Sequence, residues 1–231
     1  VPFSVEAELS LAAGTDADGG TILRRLAEAG VDTSQVARLP GPSTRSLVLV
    51  DPAGERTVVN LHRCREGGPL RRLRTDPADA IYVRSRELDL ARILAERLDS
   101  ALVVAHVPPV VAGARPAHVL VASASDLSPE EGERPWEALR RAGGETVRHV
   151  VVTRGAAGAE AHAAGLLTRV PAREAAAVDS TGAGDVFAAG LLHALVSGAP
   201  MEAALRTAVA WGTASVECEG VPPRERIRAL L

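Results

Sequence analysis

Apolar residues recur along this chain with two different periods, and the way those periods alternate predicts its architecture. Short runs dense in Val, Ile, Leu and Ala at 80–83, 102–107, 118–122 and 148–153 read as buried strands. Between and after them the period lengthens. Residues 88–98 place Leu90, Ile93, Leu94 and Leu98 on one helical face, and 129–142 opens with proline and acids as helix starts do. Residues 185–197 and 201–216 predict two further helices. Strand and helix in alternation predict an α/β fold: a mostly parallel central sheet flanked by helices, with ligands at the carboxyl ends of the strands.

The first part of the chain reads differently. Residues 5–13 predict a strand ending at Gly14, and Thr15-Asp16-Ala17-Asp18-Gly19-Gly20 turns into an amphipathic helix carrying Ile22, Leu23 and Leu26, closed by Gly30. The runs 45–50 and 56–61 flank Asp51-Pro52-Ala53-Gly54, a turn sequence, and predict a hairpin. A second hairpin is expected over 161–170, broken at Ala164-Gly165. No repeat, low-complexity tract or flexible linker interrupts the pattern, so the expectation is one domain spanning 1–231.

The pattern is broken most informatively at Asp179-Ser180-Thr181-Gly182-Ala183-Gly184-Asp185, small residues between an extended segment and an apolar helix. Amides at a helix start lack intrahelical partners, and the helix dipole adds positive charge, so such a loop seats anions. Gly182 and Gly184 let the backbone approach a ligand closely. Asp185 can take a proton from a hydroxyl while the amides hold the phosphoryl group that hydroxyl attacks. The competing reading is plain: Asp is also a good residue for a helix's first turn.

Composition narrows the chemistry. The 231 residues carry a net charge of −3, which points to neither a nucleic-acid nor a membrane partner. No apolar run approaches membrane-spanning length. Two cysteines, Cys64 and Cys218, are too few for a disulfide framework and suit a reducing cytoplasm. The chain contains no lysine. That excludes the lysine-bearing phosphate loop, the protein-kinase lysine and Schiff-base catalysis. The six histidines show no metal-ligand spacing.

The run D-S-T-G-A-G-D followed by V-F-A-A-G resembles the C-terminal motif of the ribokinase-like sugar kinases, the PfkB carbohydrate kinase family. The resemblance implies Asp185 as catalytic base, with Gly182, Ala183 and Gly184 as the anion hole. It places Asp179 and Thr181 near a monovalent cation such as K⁺. Val150 to Ala159 resembles the family's V-T-x-G-x-x-G segment, which implies that Thr153, Gly155 and Gly158 bind ATP, with Arg154 either near the polyphosphate or solvated. The hairpin at about 44–62 resembles the β-lid over the sugar, through which related kinases often form homodimers. The implied activity is transfer of the γ-phosphate of ATP, with Mg²⁺, to a hydroxyl of a sugar or related small alcohol.

Three departures stand beside the resemblance. The family's first strand and its G-G-x-x-x-N sugar-contacting segment have no counterpart, so the domain is expected to be N-terminally incomplete relative to the family. Ser123-Ala124-Ser125-Asp126 occupies the place of N-x-x-E, leaving Asp126 as either the Mg²⁺-organising carboxylate or a turn former. Ala105-His106-Val107-Pro108-Pro109 replaces D-x-N, with His106 expected to be a packed strand residue. The alternative to a kinase is therefore a degenerate member that binds nucleotide or sugar without catalysis. A dinucleotide-binding oxidoreductase fits poorly, because Phe187 occupies the place of the third glycine.

Overall fold

A computed structural model of the chain describes residues 7–8, 12–50, 56–64, 71–85, 90–107 and 112–231. The expected turn at 51–54, the first residues of the 5–13 strand, the start of the 88–98 helix and Pro108-Pro109 lie outside the described residues. The chain divides into two compact units, Val1–Asp76 and Pro77–Leu231.

In the first unit, β1 (Ala7–Glu8) and β2 (Ala12–Gly14) precede helix α1 (Ala17–Glu28), followed by β3 (Val31–Asp32) and β4 (Ala37–Leu39). Parallel pairing joins β1 to β3 and β2 to β4. Asp16 fixes the start of α1. Its Oδ1 accepts the Gly19 N–H at 3.0 Å and the Ser43 hydroxyl at 2.6 Å, while Oδ2 accepts the Ser43 N–H at 3.0 Å. These donors, the Ser43 hydroxyl foremost, pull the Asp16 carboxyl down to about 2. The predicted hairpin is present as β5 (Arg45–Val50) and antiparallel β6 (Arg56–His62), and α2 (Arg71–Thr75) closes the unit. The hairpin leaves Leu47, Val48, Leu49, Val58, Val59 and Leu61 exposed, consecutive residues and therefore both of its faces.

The second unit is the predicted α/β body. Its elements are β7 (Ala80–Val83), α3 (Leu90–Arg97), β8 (Leu102–His106), β9 (Val119–Ser123), α4 (Pro129–Glu133), α5 (Pro135–Gly143), β10 (His149–Thr153), β11 (Ala159–Ala163), β12 (Leu166–Val170), α6 (Ala183–Val196), α7 (Met201–Val216) and α8 (Arg224–Arg228). They form one six-stranded sheet in the order β12-β11-β10-β9-β8-β7. The four strands from β7 to β10 are mutually parallel, and β11 and β12 continue antiparallel as the expected second hairpin. Val103, Val104, Leu120, Val150, Val151 and Val152 are fully shielded from solvent, which explains why these strands read as continuous apolar runs rather than alternating ones.

The helix that carries the D-S-T-G-A-G-D loop is anchored tightly. Phe187 and Leu191 of α6 join Leu205, Ala208 and Val209 of α7 in a core that also takes Val121 and Val151 from the sheet. At Gly190 an added Cβ would lie 3.1 Å from the Ala208 Cα and from the Trp211 ring, so glycine permits the close approach of α6 to α7. The chain entering the loop is tied to the same helix, because the Val178 and Asp179 amides both donate to the Val216 carbonyl, at 2.7 and 3.2 Å.

Candidate active site

The carboxyl ends of the parallel strands present their exits in a row, which is where an open α/β sheet binds ligands. Thr153 to Gly158 follows β10, Ser123 to Asp126 ends β9, His106 ends β8, and Arg84 follows β7.

At the β10 exit, Gly155 to Ala157 form one turn of 3₁₀ helix, closed by the Arg154 N–H donating to the Gly158 carbonyl at 2.8 Å. Gly158 is obligatory. Its φ is +92°, and an added Cβ would lie 2.1 Å from the Val170 carbonyl oxygen and 2.6 Å from the Ala172 nitrogen. Gly155 also has positive φ, +54°, but faces open space. The Thr153 hydroxyl donates to the Ala122 carbonyl of β9 at 3.4 Å. The Arg154 side chain, 34% exposed, places its Nη2 2.8 Å from Glu160, a buried carboxylate that Arg169 also contacts at 2.8 Å. Burial pushes the Glu160 carboxyl up, but the two guanidiniums outweigh it and hold it below the ordinary range.

At the β9 exit, Asp126 closes a short 3₁₀ turn and is half exposed, its Oδ2 lying 4.0 Å from the His106 Nε2. The hydroxyls of Ser123 and Ser125 are 2.8 Å apart beside it. Among the described residues no three His, Cys, Asp or Glu side chains cluster as a metal site. One carboxylate with neighbouring hydroxyls suits Mg²⁺, a hard cation that keeps several waters and takes substrate phosphate oxygens as ligands.

The D-S-T-G-A-G-D loop begins with Asp179, whose Oδ1 accepts the Thr181 N–H at 2.8 Å. Asp179 and Thr181 are thus neighbours within one local turn. Gly182 caps α6 in the left-handed conformation, with φ +77° and ψ 0°. The resulting turn bonds the Ala183 N–H to the Ser180 carbonyl at 3.3 Å, a long hydrogen bond. Among the described residues the N–H groups of Gly182 and Gly184 meet no acceptor. The cradle therefore has two free amides, with its third committed to the tight turn that the Gly182 conformation demands. Around both glycines the space an added Cβ would occupy is open.

Asp185, in the first turn of α6, points away from the core, its side chain 56% exposed. It is paired with the Arg84 guanidinium, whose Nη1 donates to Oδ1. The sequence reading missed Arg84. The available signal was its position: a charged residue immediately after a buried strand, at the carboxyl end of a parallel sheet. Its placement is built. The buried Arg115 donates Nη2 to the carbonyl of Ser85, the next residue, and Nη1 to the Ala114 carbonyl at 2.8 Å. Tyr82, two residues before Arg84 and so on the same face of the strand, is pushed up to about 12 by burial. It stays protonated and offers no competing base. The acidic residues of the first unit serve structure there: Asp16 caps α1, and Asp18 accepts Nε and Nη2 of Arg45 at 2.9 and 2.6 Å.

An exposed carboxylate beside free amides at a helix start suits transfer of a phosphoryl group to a hydroxyl, the class of phosphotransferases with an alcohol acceptor. Known proteins place the chain within that class. The profile of the pfkB family carbohydrate kinases matches residues 107–225. An ATP-dependent ribose-1-phosphate kinase of Halopiger xanaduensis is 31% identical over 99% of this chain and 81% of its own length. A 2-dehydro-3-deoxygalactonokinase of Haloferax volcanii is 38% identical over 42% of this chain and 30% of its own. Arabidopsis thaliana ribokinase, in a structure complexed with ribose and ATP, shares the fold at a TM-score of 0.78 and 20% identity, covering 97% of this chain and 81% of that one. The chain belongs to the pfkB family of carbohydrate kinases. Among the described residues no helix is long and apolar enough to cross a membrane.

Proposed function

We propose that the protein transfers the γ-phosphate of ATP to a hydroxyl of a sugar or a sugar derivative, with Asp185 as the general base. The observation that carries this reading is the exposed Asp185 carboxylate one residue beyond the unbonded Gly184 amide. The acceptor hydroxyl gives its proton to Asp185 as its oxygen forms a bond to the γ-phosphorus, the bond to the β-phosphate oxygen breaks, and ADP leaves. The Gly182 and Gly184 amides receive the charge that develops on the transferring group. The nucleotide lies over the Thr153 to Gly158 turn, and Asp126 is the carboxylate available to Mg²⁺, whose chemistry is neutralisation of phosphate charge. Asp179 and Thr181 are proposed to serve a K⁺-like cation. The apolar side chains exposed on both faces of the β5–β6 hairpin support a lid that also pairs two copies, and the two unpaired thiols, Cys64 and Cys218, suit a cytoplasmic setting.

Replacing the base tests the reading. Asp185→Asn is expected to lower turnover by about 10²- to 10⁴-fold while ATP affinity stays near wild type; comparable turnover in the variant removes Asp185 from the role. A second reading, nucleotide or sugar binding without transfer, is favoured by the Arg84 contact that occupies Asp185. Thermal shifts with Mg·ATP, combined with an ADP-release assay over a sugar panel, separate the two. Binding with no ADP release from any acceptor supports the non-catalytic form.

A further inference from the structure

The Arg84–Asp185 pair poses a problem for the proposed chemistry, on whose reading the following rests. The guanidinium holds Oδ1 of this carboxylate and stands beside Oδ2, the oxygen left to accept a hydroxyl proton. A group on the acceptor that draws the guanidinium away clears the approach to the whole carboxylate. Arginine's planar fork matches an oxyanion, carboxylate or phosphate alike. We propose that Arg84 selects an acceptor that carries its own oxyanion, a phosphate monoester or a carboxylate, and that this group takes Arg84 from Asp185 and so frees the base.

The sheet order assigns the oxyanion to the acceptor rather than to ATP. Arg84 leaves β7, at the edge of the sheet, whereas the glycine turn proposed for the nucleotide leaves β10. Three strand intervals of roughly 4.8 Å each separate them, about 14 Å. A group that touches Asp185 from the β7 side lies where the acceptor hydroxyl must be. Arg84 is also held for the purpose. The buried Arg115 grips the main chain at Ser85, so the guanidinium swings from a fixed root, and its side chain is half exposed and able to change partner. The exchange is charge-neutral for the protein, one carboxylate contact given up for one substrate oxyanion. A neutral sugar offers no such compensation and leaves Asp185 occupied.

The test compares neutral and anionic acceptors on the full chain with Mg·ATP: ribose, ribose 1-phosphate and ribonate, and fructose with fructose 1-phosphate and fructose 6-phosphate. The wild-type protein is expected to use an anionic acceptor at higher kcat/KM than its neutral parent, the phosphate and carboxylate arms showing which oxyanion it takes. In Arg84→Gln the ratio of anionic to neutral kcat/KM falls by about 10- to 100-fold, and Arg84→Lys restores part of it. Calorimetric titration of Asp185→Asn with the preferred anionic acceptor adds a readout independent of turnover: with Arg84's competitor gone, affinity rises above that of the wild type. A preference for neutral sugars, an equal loss on both classes in Arg84→Gln, or a loss expressed as a raised KM for ATP overturns the proposal. ADP release from none of the acceptors instead refutes the kinase reading beneath it.

Discussion

Gly184→Ala separates the demands of folding from the demands of the ligand. In the folded protein an added Cβ at Gly184 meets nothing within 4 Å, and no positive φ is required there. Alanine is a better helix residue than glycine by about 0.5–1 kcal/mol, and Gly184 lies in the first turn of α6, so the gain falls at the low end of that range. For a chain of this size it corresponds to a rise of about 1–2 °C in Tm. If the Gly184 amide receives the transferring phosphoryl group, the same methyl stands where a phosphate oxygen must approach. Losing one such donor costs about 3–4 kcal/mol of barrier, or 10²- to 10³-fold in kcat. The variant is therefore expected to melt slightly higher and to turn over far more slowly, in a thermal melt and a coupled ADP-release assay on the same preparation. Wild-type turnover in a stabilised variant refutes the anion-hole assignment. A lowered Tm refutes the steric reading, because it means the space around the loop is filled.

Two other perturbations probe the scaffold of the site. Gly158→Ala combines a positive φ, costing about 1–2 kcal/mol, with backbone atoms at 2.1 and 2.6 Å from the new Cβ; it should lower the denaturation midpoint strongly, and an unchanged midpoint in a urea melt would show that the 155–158 turn is not held as described. The buried His118 accepts the Val103 N–H at its Nδ1 over 3.1 Å, which only an unprotonated nitrogen can do, and burial holds its pKa below the ordinary value. The unfolded chain therefore binds the proton first, so stability should fall as pH drops below about 6.5. Melts across pH 5–8 should show that slope reduced in His118→Gln, and an unaltered slope would assign the effect elsewhere.

What the sequence made legible follows the kinds of interaction that fix each feature. The parallel strands were readable because burial on both faces leaves Val and Leu little alternative, as at Val103-Val104 and Val150 to Val152. The Asp179 to Asp185 loop was readable because small residues before an apolar helix are a local signal, and α6 begins at Ala183 beside it. Pairings between distant segments were not readable. Arg84 and Asp185 are 101 positions apart, and only the packing of α6 against β7 brings them together. Arg154 illustrates the same limit. A guanidinium in a nucleotide-like turn suggested either a phosphate or water as its partner, yet antiparallel β11 supplies Glu160 within 2.8 Å. The commitment of the Ala183 amide to Ser180 was equally hidden, since it depends on the torsion Gly182 adopts and not on its being glycine.

The absence of lysine gives these pairings a common logic. Every fixed positive charge on this chain is an arginine, and arginine is held by carboxylates in a defined plane rather than by a loose point charge. Arg154 and Arg169 share the buried Glu160, so the guanidinium at the β10 exit is already engaged by a carboxylate. Attraction for an anion along this edge also has sources that a carboxylate does not quench, the unbonded amides of Gly182 and Gly184 and the helix dipole behind them. Arg84 is the exception that an incoming ligand can reach, because its partner is an exposed carboxylate and not a buried one. An incoming oxyanion competes with Asp185 at the surface on near-equal terms, whereas at Arg154 it would have to compete with a buried carboxylate that a second guanidinium also holds in place. Of the two arginines at the strand exits, the one beside Asp185 is therefore the one able to change partners.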